Sequence, residues 1–170
     1  SIHFVDANYG VSAGSSGAMI RTSDGGDNWE DVSLAGFNSW DRFTSLVYPS
    51  ANTIIASASN GQLYKSVDRG TTFDLLYNEP TGASLDGMDF INEDTGWLLT
   101  NIRYPDNVNF VDTFHQFIYR TTDGGISWDT SNTVFPYPTE FSLRNQLTVV
   151  KFLNSSIGYA GGNNGFLYKT

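Results

Sequence analysis

The chain has no cysteine, which excludes disulfides, thiolate nucleophiles and cysteine-based zinc sites. Its two histidines, His3 and His115, stand far apart and form no metal-ligating pattern, so neither a metal nor another cofactor is expected. Basic residues are scarce: 9 Lys and Arg against 18 Asp and Glu give a formal charge of −9. A surface of that sign repels phosphate backbones and anionic lipid, which argues against nucleic acid as a partner and against membrane insertion. No apolar run approaches the ~20 residues that a membrane-crossing helix needs. No segment keeps an amphipathic helical period, and no glycine-rich loop opens a helix that would cradle phosphate. The chain begins Ser1-Ile2-His3, without Met or a signal-like segment. The expectation is that a leader has been removed or that the numbering starts inside a longer chain.

What the chain has in plenty is aromatic residues and glycine: 12 Phe, 9 Tyr, 4 Trp and 17 Gly in 170 residues. That mixture suits many short strands joined by tight turns around one core. Three segments then align without gaps. They are Arg21-Thr22-Ser23-Asp24-Gly25-Gly26-Asp27-Asn28-Trp29, Lys65-Ser66-Val67-Asp68-Arg69-Gly70-Thr71-Thr72-Phe73 and Arg120-Thr121-Thr122-Asp123-Gly124-Gly125-Ile126-Ser127-Trp128. Each reads basic, Ser/Thr, any, Asp, any, Gly, two further residues, aromatic. A fourth copy begins at Leu167-Tyr168-Lys169-Thr170, where the chain ends. Upstream of the first, third and fourth copies lies a second shared pattern: Phe4 to Gly10, Phe90 to Gly96 and Phe152 to Gly158. The second unit has Tyr48-Pro49-Ser50-Ala51-Asn52 in that place.

Recurrence of this kind sets a fold before any single residue does. The first unit predicts strands near residues 2–5, 10–14, 18–22 and 29–32. The second predicts 44–48, 53–57, 62–66 and 73–77, and the third 87–91, 96–100, 117–121 and 128–130. The fourth offers only 147–152, 158–162 and 166–170. The expected fold is all-β: four-stranded antiparallel β-propeller blades, three complete and one partial, in repeats of about 1–38, 39–81, 82–132 and 133–170. The shared turn has a mechanical reading. Thr22, Ser66 and Thr121 with Asp24, Asp68 and Asp123 bond nearby backbone N–H groups. Gly26, Gly70 and Gly125 supply positive φ, and Trp29, Phe73 and Trp128 tuck beneath.

These repeats resemble the Asp-box, or BNR, repeats of sialidases, xyloglucanase-type hydrolases, sortilin-type receptors and photosystem II assembly-factor-like proteins. The first and last units look most like the assembly-factor group, and Asp68-Arg69-Gly70-Thr71-Thr72-Phe73 is closer to the hydrolase and sortilin versions. The resemblance implies a propeller, with the repeated turns on one face and ligands met on the other face or in the central channel. It does not choose an activity, because propellers host many. Strand counting makes the chain a segment of a larger propeller, with further blades expected from the rest of the chain or from a partner chain.

On the face opposite the turns, the candidate loops are 33–43, an insertion from Asn101 to Gln116 that accounts for the wider third spacing, and 131–146. Their ligand-binding candidates are Trp40, Arg42, Arg103, Tyr104, Phe110, Tyr137 and Arg144, with Phe37, Phe114 and Phe141 alongside. Flat rings beside polar groups suit peptide segments or sugar rings. The leading expectation is a non-enzymatic propeller that binds a protein or glycan, at the cell surface or outside the cell, the periplasm included. The alternative is a glycoside hydrolase, xyloglucanase-like or sialidase-like, with carboxylates on several blades. Asp41 and Glu140 are its weak candidates, because hydrolysis needs a carboxylate pair at defined separation. His3 is expected to line a channel and His115 to be a solvated loop residue.

Overall fold

The computed structural model describes residues 1–104, 113–129, 140–141 and 146–170, and the side chains at 103, 104, 113, 114, 140 and 141 lie outside that description. Strands follow one another as antiparallel neighbours in four separate sheets. Sheet 1 holds β1 (Ile2–Phe4), β2 (Gly10–Ala13), β3 (Met19–Thr22) and β4 (Glu30–Asp31). Sheet 2 holds β5 (Phe43–Val47), β6 (Ile54–Ala58), β7 (Gln62–Ser66) and β8 (Asp74–Asn78). Sheet 3 holds β9 (Ser84–Phe90), β10 (Gly96–Tyr104), β11 (Thr113–Thr121) and β12 (Glu140–Phe141). Sheet 4 holds β13 (Leu147–Phe152), β14 (Gly158–Gly162) and β15 (Leu167–Lys169).

The strands are short because turn chemistry interrupts them at fixed places. Between the first and second strands, Asp6 accepts the N–H groups of Asn8 and Tyr9, Asn92 those of Asp94 and Thr95, and Asn154 those of Ser156 and Ile157. Between the third and fourth strands, the hydroxyls of Thr22, Ser66 and Thr121 accept the N–H of Gly26, Gly70 and Gly125 at 2.9, 2.8 and 2.9 Å. Each hydroxyl also donates to the Asp two residues on. The Asp in turn accepts the N–H of Asn28, Thr72 or Ser127 four residues further along. Gly26, Gly70 and Gly125 sit at φ of +100°, +82° and +91°, where a Cβ would be strained. Trp29 and Trp128 then fold under the turn and donate their indole N–H to Gly26 and Gly125 carbonyls. The same set of bonds recurs in all three turns.

These bonds hold the Asp carboxyls low. Asp24 is lowered to about 2 by the N–H and the side-chain amide of Asn28, and Asp123 to about 2 by the hydroxyl and N–H of Ser127. At Asp68, desolvation pushes upward but is outweighed by the Thr72 N–H and the Ser66 hydroxyl, and the value is again about 2.

Three apolar clusters cement the sheets in sequence order. Val11, Ala13 and Met19 of sheet 1 meet Phe43, Leu46 and Ile54 of sheet 2. Ile55 and Leu63 of sheet 2 meet Met88, Phe90 and Leu98 of sheet 3. Trp97, Leu99 and Ile118 of sheet 3 meet Leu147, Phe152 and Ala160 of sheet 4, with the Phe152 ring stacked on Trp97 at 3.7 Å and 2°. The Phe…Gly pattern now has a cause. The Phe ring lies across the glycine that opens the next strand, so a Cβ at Gly10 would come within 2.7 Å of Phe4, and one at Gly96 within 2.6 Å of Phe90.

Polar links cross the same seams. The fully buried amide of Gln116 donates to the Leu147 carbonyl at 2.9 Å and accepts the Leu147 N–H at 2.8 Å. Buried Asp89 accepts the Phe152 N–H and the Lys151 ammonium, both at 2.6 Å. Thr44 donates to the Leu85 carbonyl, and Thr53 to Glu93.

Sheet 3 departs from expectation. The insertion does not leave the sheet at Asn101: β10 and β11 stay paired out to Tyr104 and Thr113, with Asn101 opposite Gln116 and Ile102 opposite His115. On the first arm Asn101, Ile102, Arg103 and Tyr104 alternate polar and less polar side chains, which favours continued pairing over a loop. His115 is therefore a half-buried strand residue, not a solvated loop residue, 6.5 Å from the Phe117 ring. The expected strand at 128–130 contributes one bridge, Arg120 to Asp129. The fourth strand position is instead taken further out by Glu140–Phe141, paired with His115 and Phe114.

Candidate ligand-binding rim

Two rims result. On one, the Asp turns lean on the loops that join first and second strands, through Gly25 N–H to Asn8, Arg69 N–H to Asn52 and Gly124 N–H to Asp94. On the other rim lie residues 14–18, 32–42, 59–61 and 79–83. They are tied together by Leu34 N–H to Gly17, Ser16 N–H to Asp41, Ser59 N–H to Arg42 and Glu79 N–H to Gly61. This second rim carries the candidate residues of loop 33–43.

Loop 33–43 is anchored, and the anchor decides which of its aromatics is free. Phe37 packs on Phe43 and Tyr64, with centroids 4.9 and 5.8 Å apart, so it serves the core. Asp41 closes a tight turn on Asn38: its carboxylate accepts the Asn38 N–H at 2.9 Å and its own N–H reaches the Asn38 carbonyl at 3.1 Å. Trp40 sits at the tip of that turn, 88% exposed. Among the described residues, nothing hydrogen-bonds or stacks on its indole. Arg42 follows, its backbone bridged to Ser15 and its N–H bonded to the Ser59 hydroxyl at 3.0 Å.

Arg42 lies at the mouth of a pocket of about 300 Å³ with Thr44, Asp86, Gln146 and Thr148. These groups mark the rim-side ends of β5, β9 and β13, the first strands of their sheets. Asp86 accepts the Ser84 hydroxyl at 2.7 Å. Sequence reasoning missed Asp86, Gln146 and Thr148. The signal was their position: each lies at the rim end of a first strand, the place in the repeat nearest a central axis.

At the opposite end of those strands lies a cleft of about 400 Å³, lined by His3, Tyr48, Met88, Asp89, Val149 and Lys151 among others. His3 thus lines this cleft. Its Nδ1 lies 3.4 Å from the Leu46 carbonyl, and its ring meets Tyr48 edge-on. Burial pushes the Tyr48 phenol up to about 12 against a hydrogen bond at Val11 that lowers it, with Asp6 adding to the rise. Tyr64 is also raised by burial and by the Asp41 carboxylate.

Of the other candidates, Arg103 and Tyr104 lie on β10 and Glu140 on β12, known by backbone alone, while Phe110, Tyr137 and Arg144 lie outside the described residues. The structure brings together Trp40, Asp41 and Arg42. Among the described residues, no group of three or more His, Asp or Glu could hold a metal, and no helix is long and apolar enough to cross a membrane.

No protein-family model matches the chain, and no curated protein matches it significantly. Solved structures do. The chain is similar over its full length to YCF48 bound to a D1 peptide, at 18% identity and a TM-score of 0.59. It is likewise similar over its full length to an ancestral GH74 enzyme, at 17% identity and a TM-score of 0.64. The four sheets are β-propeller blades. The chain spans 62% of that YCF48 chain and 22% of that GH74 chain. At these identities the likeness establishes the fold, and the rim's own chemistry has to carry the function.

Proposed function

We propose that this chain is a segment of an Asp-box propeller that acts by binding, without catalysis, and that its ligand is an extended protein segment held on the Trp40–Arg42 rim. The observation that carries this is Trp40. An indole left 88% exposed on a turn that Phe37 and Asp41 hold rigid is a preorganised anchor, the kind of residue that dominates recognition energies. Behind it, Arg42, Gln146 and Thr148 have no side-chain hydrogen bond among the described residues and line one pocket, which suits backbone amides and carboxylates of a passing chain. The similar YCF48 structure, which is bound to a D1 peptide, supports this reading. The proposal includes a site of action outside the cell, at the cell surface or in the periplasm, in keeping with the acidic composition.

Two findings weigh against the hydrolase reading. The Asp41 carboxylate is occupied in stapling its own turn. The phenols of partly buried Tyr48 and buried Tyr64 are raised, the wrong direction for a tyrosine nucleophile.

The test presents wild type and Trp40→Ala to a peptide array and a glycan array, with thermal melts as control. Saturable peptide binding that Trp40→Ala abolishes, at an unchanged melting temperature, supports the proposal. Binding to glycans alone replaces the ligand class. Sugar release from xyloglucan or sialosides that is lost in Asp41→Asn or Glu140→Gln overturns the non-enzymatic reading.

A further inference from the structure

The first strands of three blades break their pairing at the same place. In β5, Phe43 pairs with Ala58 and Ser45 with Ser57, so Thr44 is extra. In β9, Leu85 pairs with Thr100 and Gly87 with Leu99, so Asp86 is extra. In β13, Leu147 pairs with Gly162 and Val149 with Gly161, so Thr148 is extra. Each bulge lies four residues before the aromatic that ends its strand or follows it, Tyr48, Phe90 or Phe152. A bulge inserts one residue into a strand and re-aims a side chain, and its recurrence in register marks a built feature.

The residue before each bulge, Phe43, Leu85 or Leu147, stays buried in an apolar cluster. The bulged residue turns instead to the rim pocket, which Thr44, Asp86 and Thr148 line together with Arg42 and Gln146. Arg42, Ser84 and Gln146 are themselves equivalent, each two residues before its bulge. The backbone draws the three bulges together. The Thr44 hydroxyl donates to the Leu85 carbonyl, beside Asp86. On the other side the Thr148 carbonyl closes on Gly87, where a Cβ would come within 3.1 Å of it. Glycine there lets the bulge of blade 4 approach that of blade 3.

The pocket holds two opposite charges that do not neutralise each other. No ion pair joins Arg42 to Asp86. Asp86 accepts the Ser84 hydroxyl through Oδ1, and its Oδ2 has no hydrogen bond among the described residues. Gln146 and Thr148 add an amide and a hydroxyl, each able both to donate and to accept. With Asp86 counted beside Arg42, the choice among the groups of a passing chain narrows. A carboxylate meets Arg42 but is repelled by Asp86. An ammonium meets Asp86 but is repelled by Arg42. A carboxamide suits both, its oxygen accepting from Arg42 and its NH2 donating to Asp86.

We infer that this pocket reads a carboxamide side chain, an Asn or Gln of the bound segment, with Arg42 and Asp86 as the two selectors. The inference rests on the peptide reading above and specifies which residue of the segment enters the pocket.

NMR titration of the 170-residue chain tests it with three probes: N-acetylglutamine methylamide and its glutamate and lysine counterparts. The shared caps cancel, so the ranking reads the side chain. The probes report on the pocket without Trp40, so a failed peptide array overturns the peptide reading while the pocket's selectivity is still measured. The glutamine probe should shift the Asp86 and Thr148 amides saturably, and the other two should bind at least about tenfold more weakly. Asp86→Asn can still accept the Ser84 hydroxyl, and it should turn the preference to the glutamate probe. Arg42→Gln keeps the backbone bonds to Ser59, and it should turn the preference to the lysine probe. Equal affinity for the three probes, no shift at the pocket, or variants that keep the wild-type ranking overturn the inference.

Discussion

Replacing Gln116 by Met should cost this chain about 3 kcal/mol. Gln116 is fully buried, and its amide does for Leu147 what a neighbouring strand would do: it accepts the Leu147 N–H and donates to the Leu147 carbonyl. Leu147 is itself buried, so water cannot replace the lost partners. Methionine keeps the length and the unbranched shape while removing both bonds. Two backbone groups are then orphaned at ~1–3 kcal/mol each, partly offset because the amide no longer has to be desolvated. Against a domain stability of ~5–15 kcal/mol this is a large share. Urea unfolding should show it as a lower midpoint, and hydrogen exchange should show faster exchange at the Leu147 amide. Gln116→Glu should be worse at neutral pH, where it buries a charge, and should recover in acid, where a protonated carboxyl can again donate to the Leu147 carbonyl. A loss below about 1 kcal/mol in the Met variant, or unchanged exchange at Leu147, would refute the reasoning.

Acid should weaken the chain through its Asp turns. The carboxyls of Asp24, Asp68 and Asp123 are held at about 2 against an ordinary 3.8, so their contribution is complete above about pH 4 and fades as pH falls toward 2. A melting temperature that stays flat over that interval would contradict this. Phe152→Ala should cost about 3–5 kcal/mol because the ring is buried on Trp97, and Phe4→Ala in the isolated chain clearly less, because that ring is 38% exposed. Equal losses in paired urea titrations would show that exposure does not govern this position.

The repeat was legible because it is made of local chemistry. Thr22, Asp24, Gly26 and Trp29 act within eight residues of one another, so their spacing in the chain already states their bonds. The Phe…Gly pattern was legible as a repeat, but its reason was not, because the ring belongs as much to the preceding blade as to its own. The extended hairpin was missed because Asn101 and Arg103 look like loop residues, although Ile102 between them keeps the two-residue alternation of a strand. Asp89, Gln116 and the rim pocket were illegible for a different reason. Each depends on groups more than 30 residues away, and only the stacking of blades brings them together. Of the candidate site, Trp40 and Arg42 lie on the rim, while Phe37 serves the core and Asp41 its own turn.

The ring laid across a glycine has a consequence for how the chain comes apart. Each such aromatic stitches its blade to the one before, so a blade released from its neighbour loses its grip on its own second strand as well. Opening therefore proceeds blade by blade rather than strand by strand. Phe4 is the exposed one of these aromatics, so among the described blades the stitch of blade 1 is the first to give way. The middle blades, clasped from both sides, are the last to let go.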